Sequence, residues 1–551
     1  MMSAFRETWA KMSRRDELLL PLILIAAFVL RVHVLHLPGP NPDELLYAVE
    51  GERLRAGDPT WAVSVPVAGH RLPVGLDGYQ GGFPIYVHCF VSLLTEYPLR
   101  FRLIDILYDL GLIAIAYWFA EKTCSRRAAV LSALFLATMP TMVFFSRIGE
   151  MAIFLRILLA NLALYCFYRW GRDERWDLFY TGMLALGLGI STRLEIAWWP
   201  ISVGAYLLLL NRPLLKHVAI LLWNSKRRTV TGLACFALGA GLWIAYNVQT
   251  DWGTFRQIAS NAGETYTGHN NLHVFSNFKT RVGHLRQTLE GDGIWGLNAP
   301  WRNRFFAVTF ALAFLTALGA SVIARWKRRP DHMTEWMLFM LMFTLGLSTF
   351  SVSELAIMHI LLIMPLPVLI MSRMLDRIPY QCIVVVVAVA LVVSNLIVDA
   401  ADYQRLRQTR GAGHFSPRIY DMPQELRRFG VSKVVACDWG LARSVYYFSE
   451  GRVKVQEIFG YTKEAPPSFF TQLAGTLREP GVGFLFCAPA FTTFPRQQAF
   501  LAYLKEHGTS ADEHVIEDDY GPIYLLYKVA KNQDPADANT AAIRAAARPS
   551  P

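Results

Sequence analysis

Apolar runs of membrane-crossing length recur along this chain, and they restrict its fold more than any other feature. Leu18–Leu37, Ala128–Phe145, Met151–Tyr168, Phe305–Ala324 and Ile383–Val398 are typical. Each approaches the roughly 20 residues that an α-helix needs to cross the hydrocarbon of a bilayer. No water is available there to satisfy backbone N–H and C=O groups, so helices that close their own hydrogen bonds are the expected solution. Composition agrees: 53% of the 551 residues are hydrophobic and only 18% are charged, too little charge for a soluble protein of that length. The expected fold is an α-helical polytopic membrane protein with about eleven transmembrane helices and a C-terminal soluble α/β domain.

A formal net charge of +11 can signal nucleic acid, but here the basic residues fall in short clusters between apolar segments. They are Arg14-Arg15, Lys122 to Arg127, Arg169 to Arg175, Lys226-Arg227-Arg228 and Arg325 to Arg329. Basic loops of this kind stay cytoplasmic, and the pattern argues against nucleic acid as a partner. Placing every cluster on one side gives a multi-pass protein of the inner (plasma) membrane with a cytoplasmic N-terminus. Its membrane domain covers 1–399, with outer loops 38–100 and 248–304. An extracytoplasmic α/β domain follows over 400–530, then a disordered tail over 531–551 that is rich in Ala, Pro and Asn. No small-residue cleavage site follows Leu37, so the first helix is expected to be retained.

In the first outer loop, Pro42–Gly57 is amphipathic and Phe83–Leu94 is apolar but short. Both are expected to be helices lying in the interface. In the C-terminal domain, Val431–Cys437, Val482–Cys487 and Ile523–Val529 read as strands, and Pro495–His507 as a helix ended by Gly508. No internal repeat is visible, which argues against a transporter built from duplicated halves. The seven cysteines form no metal-ligand spacing; Cys437 and Cys487 share the soluble domain, and their pairing is left open. No metal and no cofactor are expected.

The stretch Asn41-Pro42-Asp43-Glu44-Leu45-Leu46-Tyr47-Ala48 places two adjacent carboxylates just beyond the first helix, where another helix begins. Acids there cap a helix N-terminus and suit its dipole. A carboxylate so placed also suits a general base that takes a proton from an acceptor hydroxyl. Asp105 and Asp109, inside the second helix, either face a cavity or pair with a neighbour.

The run Pro42-Asp43-Glu44 with Tyr47-Ala48, Leu54 and Ala56-Gly57-Asp58 resembles the first outer loop of the membrane glycosyltransferases of the C superfamily. The similarity is to the protein O-mannosyltransferase and lipid A aminoarabinose transferase branch. Leu99-Arg100-Phe101-Arg102-Leu103, Ala137-Thr138-Met139-Pro140, Phe145-Ser146-Arg147 and Met364-Pro365-Leu366-Pro367 extend it, so that it covers roughly residues 15–400. The resemblance implies inverting transfer from a polyprenyl-phosphate-linked sugar donor to a glycan, lipid or protein acceptor. Asp43 becomes the catalytic base. Glu44 becomes its neighbour, orienting the acceptor or tuning the base, since close carboxylates raise one another's pKa. Glu150 stands where the family carries a second acidic residue.

Leaving phosphate requires cations, for which arginine is well suited. Arg102, Arg147 and Arg193 lie at the outer boundary, where arginines also serve simply to snorkel. Arg193 with Glu195 is equally readable as an ion pair. His359 suits either donor phosphate or an interhelical hydrogen bond. Tyr47, with His269 and His273 in the polar run Thr267–His273, is assigned to the acceptor side. Tyr79-Gln80-Gly81-Gly82-Phe83-Pro84 departs from the aminoarabinose branch, which carries a lysine there, so another cation must serve. Two other readings stand beside the enzyme: a lipid or glycan transporter, and a non-catalytic scaffold that binds a lipid carrier.

Overall fold

The computed structural model describes residues 18–529 apart from 60, 150–151, 266, 295–300, 412, 463 and 478. Glu150 and the tail 531–551 therefore lie outside the described residues. The chain divides into two compact units, Met1–His36 with Leu46–Thr409, and Leu37–Leu45 with Arg410–Pro551.

The first unit is helical. Arg100–Thr123, Ile153–Asp173, Arg304–Trp326 and Gln381–Thr409 are each long and apolar enough to cross a membrane. Four broken pairs bring the number of candidate spans among the described residues to as many as eight. Leu19–Val32, Phe83–Leu94 and Trp176–Ile190 are apolar but shorter, so helix length alone does not reach the expected count of about eleven.

The breaks have local causes. Arg126–Thr138 and Pro140–Ile148 meet at 56°, because Pro140 has no N–H to continue the ladder. Ile357–Ile363, a 3-10 segment, turns by 47° into Pro365–Asp376, again at a proline. Elsewhere small residues let helices touch. A Cβ on Gly187 would stand 2.3 Å from the Phe236 carbonyl oxygen, and one on Gly239 2.6 Å from that of Leu184. Trp176–Ile190 and Lys226–Gly239 thus cross backbone to backbone, as membrane helices do at glycine.

Between the helices Leu46–Arg55 and Phe83–Leu94 lies an antiparallel hairpin, β1 (Val63–Val67) and β2 (His70–Gly75). Ala68 and Gly69 both take positive φ at its turn, the geometry that two-residue hairpins favour. The hairpin falls within the expected outer loop 38–100.

The last long helix runs to Thr409, beyond Val398 where the apolar run ends, so the division falls at Arg410 rather than after 399. Asp399, Asp402, Tyr403, Leu406 and Thr409 are all buried. Their spacing is one helical face, and that face carries the helix past its first charges.

The second unit holds a five-stranded sheet in the order β4-β3-β5-β7-β6. Its strands are β3 (Lys433–Ala436), β4 (Lys454–Glu457), β5 (Val482–Cys487), β6 (Ala511–Asp518) and β7 (Gly521–Val529). β3 runs parallel to β4 and β5, while β7 runs antiparallel to β5 and β6. Val435, Phe484, Phe486, Phe500 and Tyr527 fill one core against it. Cys437 and Cys487 are free and buried, and burial pushes both thiols well above their ordinary pKa.

Candidate active site

Within the second unit, Asn41–Glu44 forms a closed turn. Asp43 donates its N–H to Asn41 Oδ1 at 2.8 Å, and Asn41 donates its own N–H to Glu44 Oε1 at 2.9 Å. The two side-chain bonds brace a turn that ends before the helix Leu46–Arg55 begins. Glu44, 2% exposed, is the acid that closes it.

The turn is fixed from two sides. Gly39 donates its N–H to the Phe415 carbonyl at 2.7 Å. Gly440, at φ +80°, meets Pro42 so closely that an added Cβ would lie 2.1 Å from its Cγ. Gly440 follows β3, so the turn lies at the carboxyl end of a parallel strand, where open α/β sheets bind ligands. Tyr461, just beyond β4, donates its hydroxyl to Glu457 Oε1 at 3.5 Å.

Gly440→Ala tests that wedge, because alanine adds both positive-φ strain and a collision with Pro42. Gly508→Ala is the control: it shares the positive φ (+60°) but has nothing within 4 Å. We expect Gly440→Ala to lower the thermal midpoint in detergent by at least twice as much as the control. Equal shifts would mean that Pro42 yields without cost.

In the first unit the other expected residues separate into groups. Arg102 is fully buried and donates to the Leu35 carbonyl at 2.6 Å. Arg147 donates to the carbonyls of His33 and Val34, both at 2.8 Å, and lies 4.9 Å from the Tyr403 ring centroid. Both arginines thus hold the backbone that follows the first helix. Tyr47 is 2% exposed. Asp109 pairs with Arg31 at 2.6 Å, both fully buried.

Arg193 and His359 come together in a buried ionic cluster. Arg193 Nε lies 3.3 Å from Glu195 Oε2, and His359 Nε2 lies 3.5 Å from Glu195 Oε1. Arg156 also bonds to Glu195, and donates to the Met358 carbonyl at 3.0 Å. On the far side of the imidazole, Arg281 NH2 is 3.5 Å from His359 Nδ1. The ion-pair reading of Arg193 with Glu195 is therefore the observed one. Two buried guanidinium groups on one carboxylate, with a third behind the imidazole, leave positive charge in excess and favour an anion.

Arg156 and Arg281 join the expected residues in this cluster. Arg156 had a signal, being a lone charge in the run Ile153-Phe154-Leu155-Arg156-Ile157, where an intramembrane charge marks function. Arg281 lies in an amphipathic helix and carries no such mark.

His269 is half-buried and its pKa is lowered by burial first and then by Arg281. His273 is exposed at the start of Val274–Glu290. Among the described residues no three His, Cys, Asp or Glu side chains group to hold a metal.

His284 accepts from Arg281 NH1 at 3.3 Å through Nδ1, which requires the neutral ring. Burial, and then Arg281, lower its pKa to about 4. The neutral form is therefore favoured by folding, and its contribution is complete above the unfolded value near 6.5 and lost as pH falls towards 4. His284→Gln is expected to flatten the fall of the thermal midpoint between pH 6.5 and 4. An acid limb as steep as that of the wild type would contradict this role.

Comparison with known proteins sets this geometry in context. Residues 84–236 match the family model of dolichyl-phosphate-mannose-protein mannosyltransferases. No curated protein sequence matches the chain. The fold is similar to that of ArnT from Cupriavidus metallidurans in the apo state, with a TM-score of 0.59 and 14% identity over 94% of this chain and 98% of that one. The same protein bound to undecaprenyl phosphate gives a TM-score of 0.56 and 15% identity, over 92% and 97%. The oligosaccharyltransferase of Archaeoglobus fulgidus gives 0.52 and 13%, over 92% and 73%. The chain has the GT-C fold of membrane glycosyltransferases, as its resemblance to the mannosyltransferase and aminoarabinose transferase branch led one to expect. Its likeness to ArnT runs along nearly the whole length of both chains.

Proposed function

We propose that this protein is an inverting glycosyltransferase that moves a sugar from a polyprenyl-phosphate donor to an acceptor on the outer face of the inner membrane. Asp43 is the base. It takes the proton of the acceptor hydroxyl while the acceptor oxygen bonds to the anomeric carbon. The bond from that carbon to the phosphate oxygen breaks on the opposite face, and polyprenyl phosphate departs. Arg193 offsets its charge, with His359 beside it as a hydrogen-bonding partner. Arg102 and Arg147 act through the backbone they hold. Glu44 keeps the Asp43 turn closed, Glu150 serves the acceptor, and Tyr47, His269 and His273 lie on the acceptor side.

The observation that carries this reading is the Asn41–Glu44 turn, which the Asn41 and Glu44 side chains close and which holds Asp43 at its centre. The likeness to an ArnT structure bound to undecaprenyl phosphate supports the choice of donor. In the topology proposed with it, the N-terminus is cytoplasmic and about eleven helices cross the membrane. The loops 38–100 and 248–304 and the C-terminal unit then face outward.

The test is donor turnover. Purified protein in vesicles is given radiolabelled polyprenyl-phosphate sugars with membrane extract as acceptor. Label in an acceptor, with free polyprenyl phosphate formed in equal amount, is expected. A donor that crosses the bilayer uncleaved would favour a transporter instead.

A further inference from the structure

The helix Leu194–Leu209 gives way to Arg212–Asn224 at an angle of 113°. Asn211 Oδ1 accepts the Leu214 N–H at 3.3 Å and Pro213 stands in the first turn, so the new direction has its own cap. None of the residues of Arg212–Asn224 is buried. Val218, Leu221 and Leu222, spaced along one helical face, pack against Trp170, Trp176 and Phe179. Arg212, Lys216 and His217 are exposed away from that face.

The chain then turns at Ser225 into the helix Lys226–Gly239. An open hollow of ≈ 630 Å³ at this turn is lined by Trp223, Asn224, Ser225, Lys226, Arg227 and Arg228. Trp223 is 71% exposed, and Lys226 Nζ lies 4.6 Å from its ring centroid. Other basic residues between the helices are neutralised within the chain: Arg127 pairs with Asp376, Arg169 with Asp173, Arg325 with Glu335 and Arg373 with Asp331. Lys226, Arg227 and Arg228 are exposed and form no ion pair among the described residues. No Asp or Glu occurs between Glu195 and Asp251. Val230 and Leu233, four and seven residues beyond Lys226 and so on its face of the helix, are exposed apolar side chains.

We infer that the turn Trp223–Arg228 binds the headgroup of an anionic phospholipid, with the helix Arg212–Asn224 lying in the headgroup layer. The lipid phosphate meets Lys226 and Arg227, and an acyl chain runs along Val230 and Leu233. A basic amphipathic helix with an exposed tryptophan suits that layer, and in the proposed topology it faces the cytoplasmic leaflet, where anionic lipid attracts such clusters. The acid-free segment offers no partner to the ammonium of a zwitterionic lipid. A soluble phosphate would leave the apolar track beside the charges unused.

The full-length protein, purified in mild detergent, is equilibrated with equimolar phosphatidylglycerol, phosphatidylethanolamine and phosphatidylcholine of matched chains, and retained lipid is read by native mass spectrometry. Phosphatidylglycerol is expected to be enriched. Lys226→Gln and Arg227→Gln should each cut that enrichment about fivefold, the effect of one basic residue at an anionic surface. Both side chains are exposed, so neither variant should lose its fold. Equal retention of the three lipids, or enrichment unchanged in both variants, would overturn the proposal. Displacement of the retained lipid by millimolar glycerol 3-phosphate would also overturn it, assigning the hollow to a soluble phosphate.

Discussion

Asp43→Asn is expected to lower the transfer rate by about a thousandfold, within the range that a positioned general base contributes. Asparagine keeps the size of the side chain, and the backbone N–H of residue 43 still bonds to Asn41 Oδ1 as in the wild type. Fold and donor binding should therefore survive, so the loss should fall on kcat. Glu44→Gln provides the contrast. Its carboxylate accepts the Asn41 N–H, and the amide oxygen of glutamine can accept the same bond. That variant should lose less than tenfold, in line with one weakened hydrogen bond. Comparable losses in the two variants, measured as initial rates at saturating donor, would remove the distinction between the base and the acid that closes the turn.

Arg31→Met is expected to be the most destabilising single change, costing about 3–5 kcal/mol because it strands a buried charge. Arg31 and Asp109 are both fully buried, 2.6 Å apart. The arginine also donates to the Ala137 carbonyl at 2.8 Å and the Leu136 carbonyl at 3.2 Å. Those carbonyls stand at the break before Pro140, which has no N–H to offer Leu136. One side chain thus neutralises Asp109 and caps a broken helix. The double variant Arg31→Met with Asp109→Leu should recover part of the loss, since it removes the stranded carboxylate but leaves the carbonyls uncapped. Thermal unfolding in detergent reads both. A double variant no more stable than the single would place the arginine's role in the carbonyls alone.

The helices were legible because burial in lipid or protein leaves a continuous apolar record. Phe83–Leu94 and β5 appear with the limits that the sequence suggests. β5 is fully buried, so each of its residues reports the sheet. β4 and β6 are the edge strands of the same sheet. The first is only Lys454–Glu457, and the second, Ala511–Asp518, carries four acidic residues on a half-exposed ladder, which leaves no apolar pattern to read.

The Asn41–Glu44 turn has the spacing of a capping box, asparagine followed three positions later by glutamate, although the helix begins only at Leu46. Read as two neighbouring acids, it conceals that Glu44 accepts the Asn41 N–H. The cluster at Glu195 is harder to foresee. Arg156, Arg193 and His359 come from separate segments, and only tertiary packing brings them to one carboxylate, with Arg281 behind the imidazole. No spacing in the chain encodes that meeting.

The anomeric configuration of the product tests the account most directly. A single displacement, with Asp43 removing the proton of the acceptor and phosphate leaving from the opposite face, yields a product inverted relative to the donor. NMR of the purified product, made from a donor of known configuration, reads this at the anomeric proton. Inversion, lost together with product formation in Asp43→Asn, is the expected result. A retained configuration, which requires two displacements and a nucleophile on the protein, would contradict it.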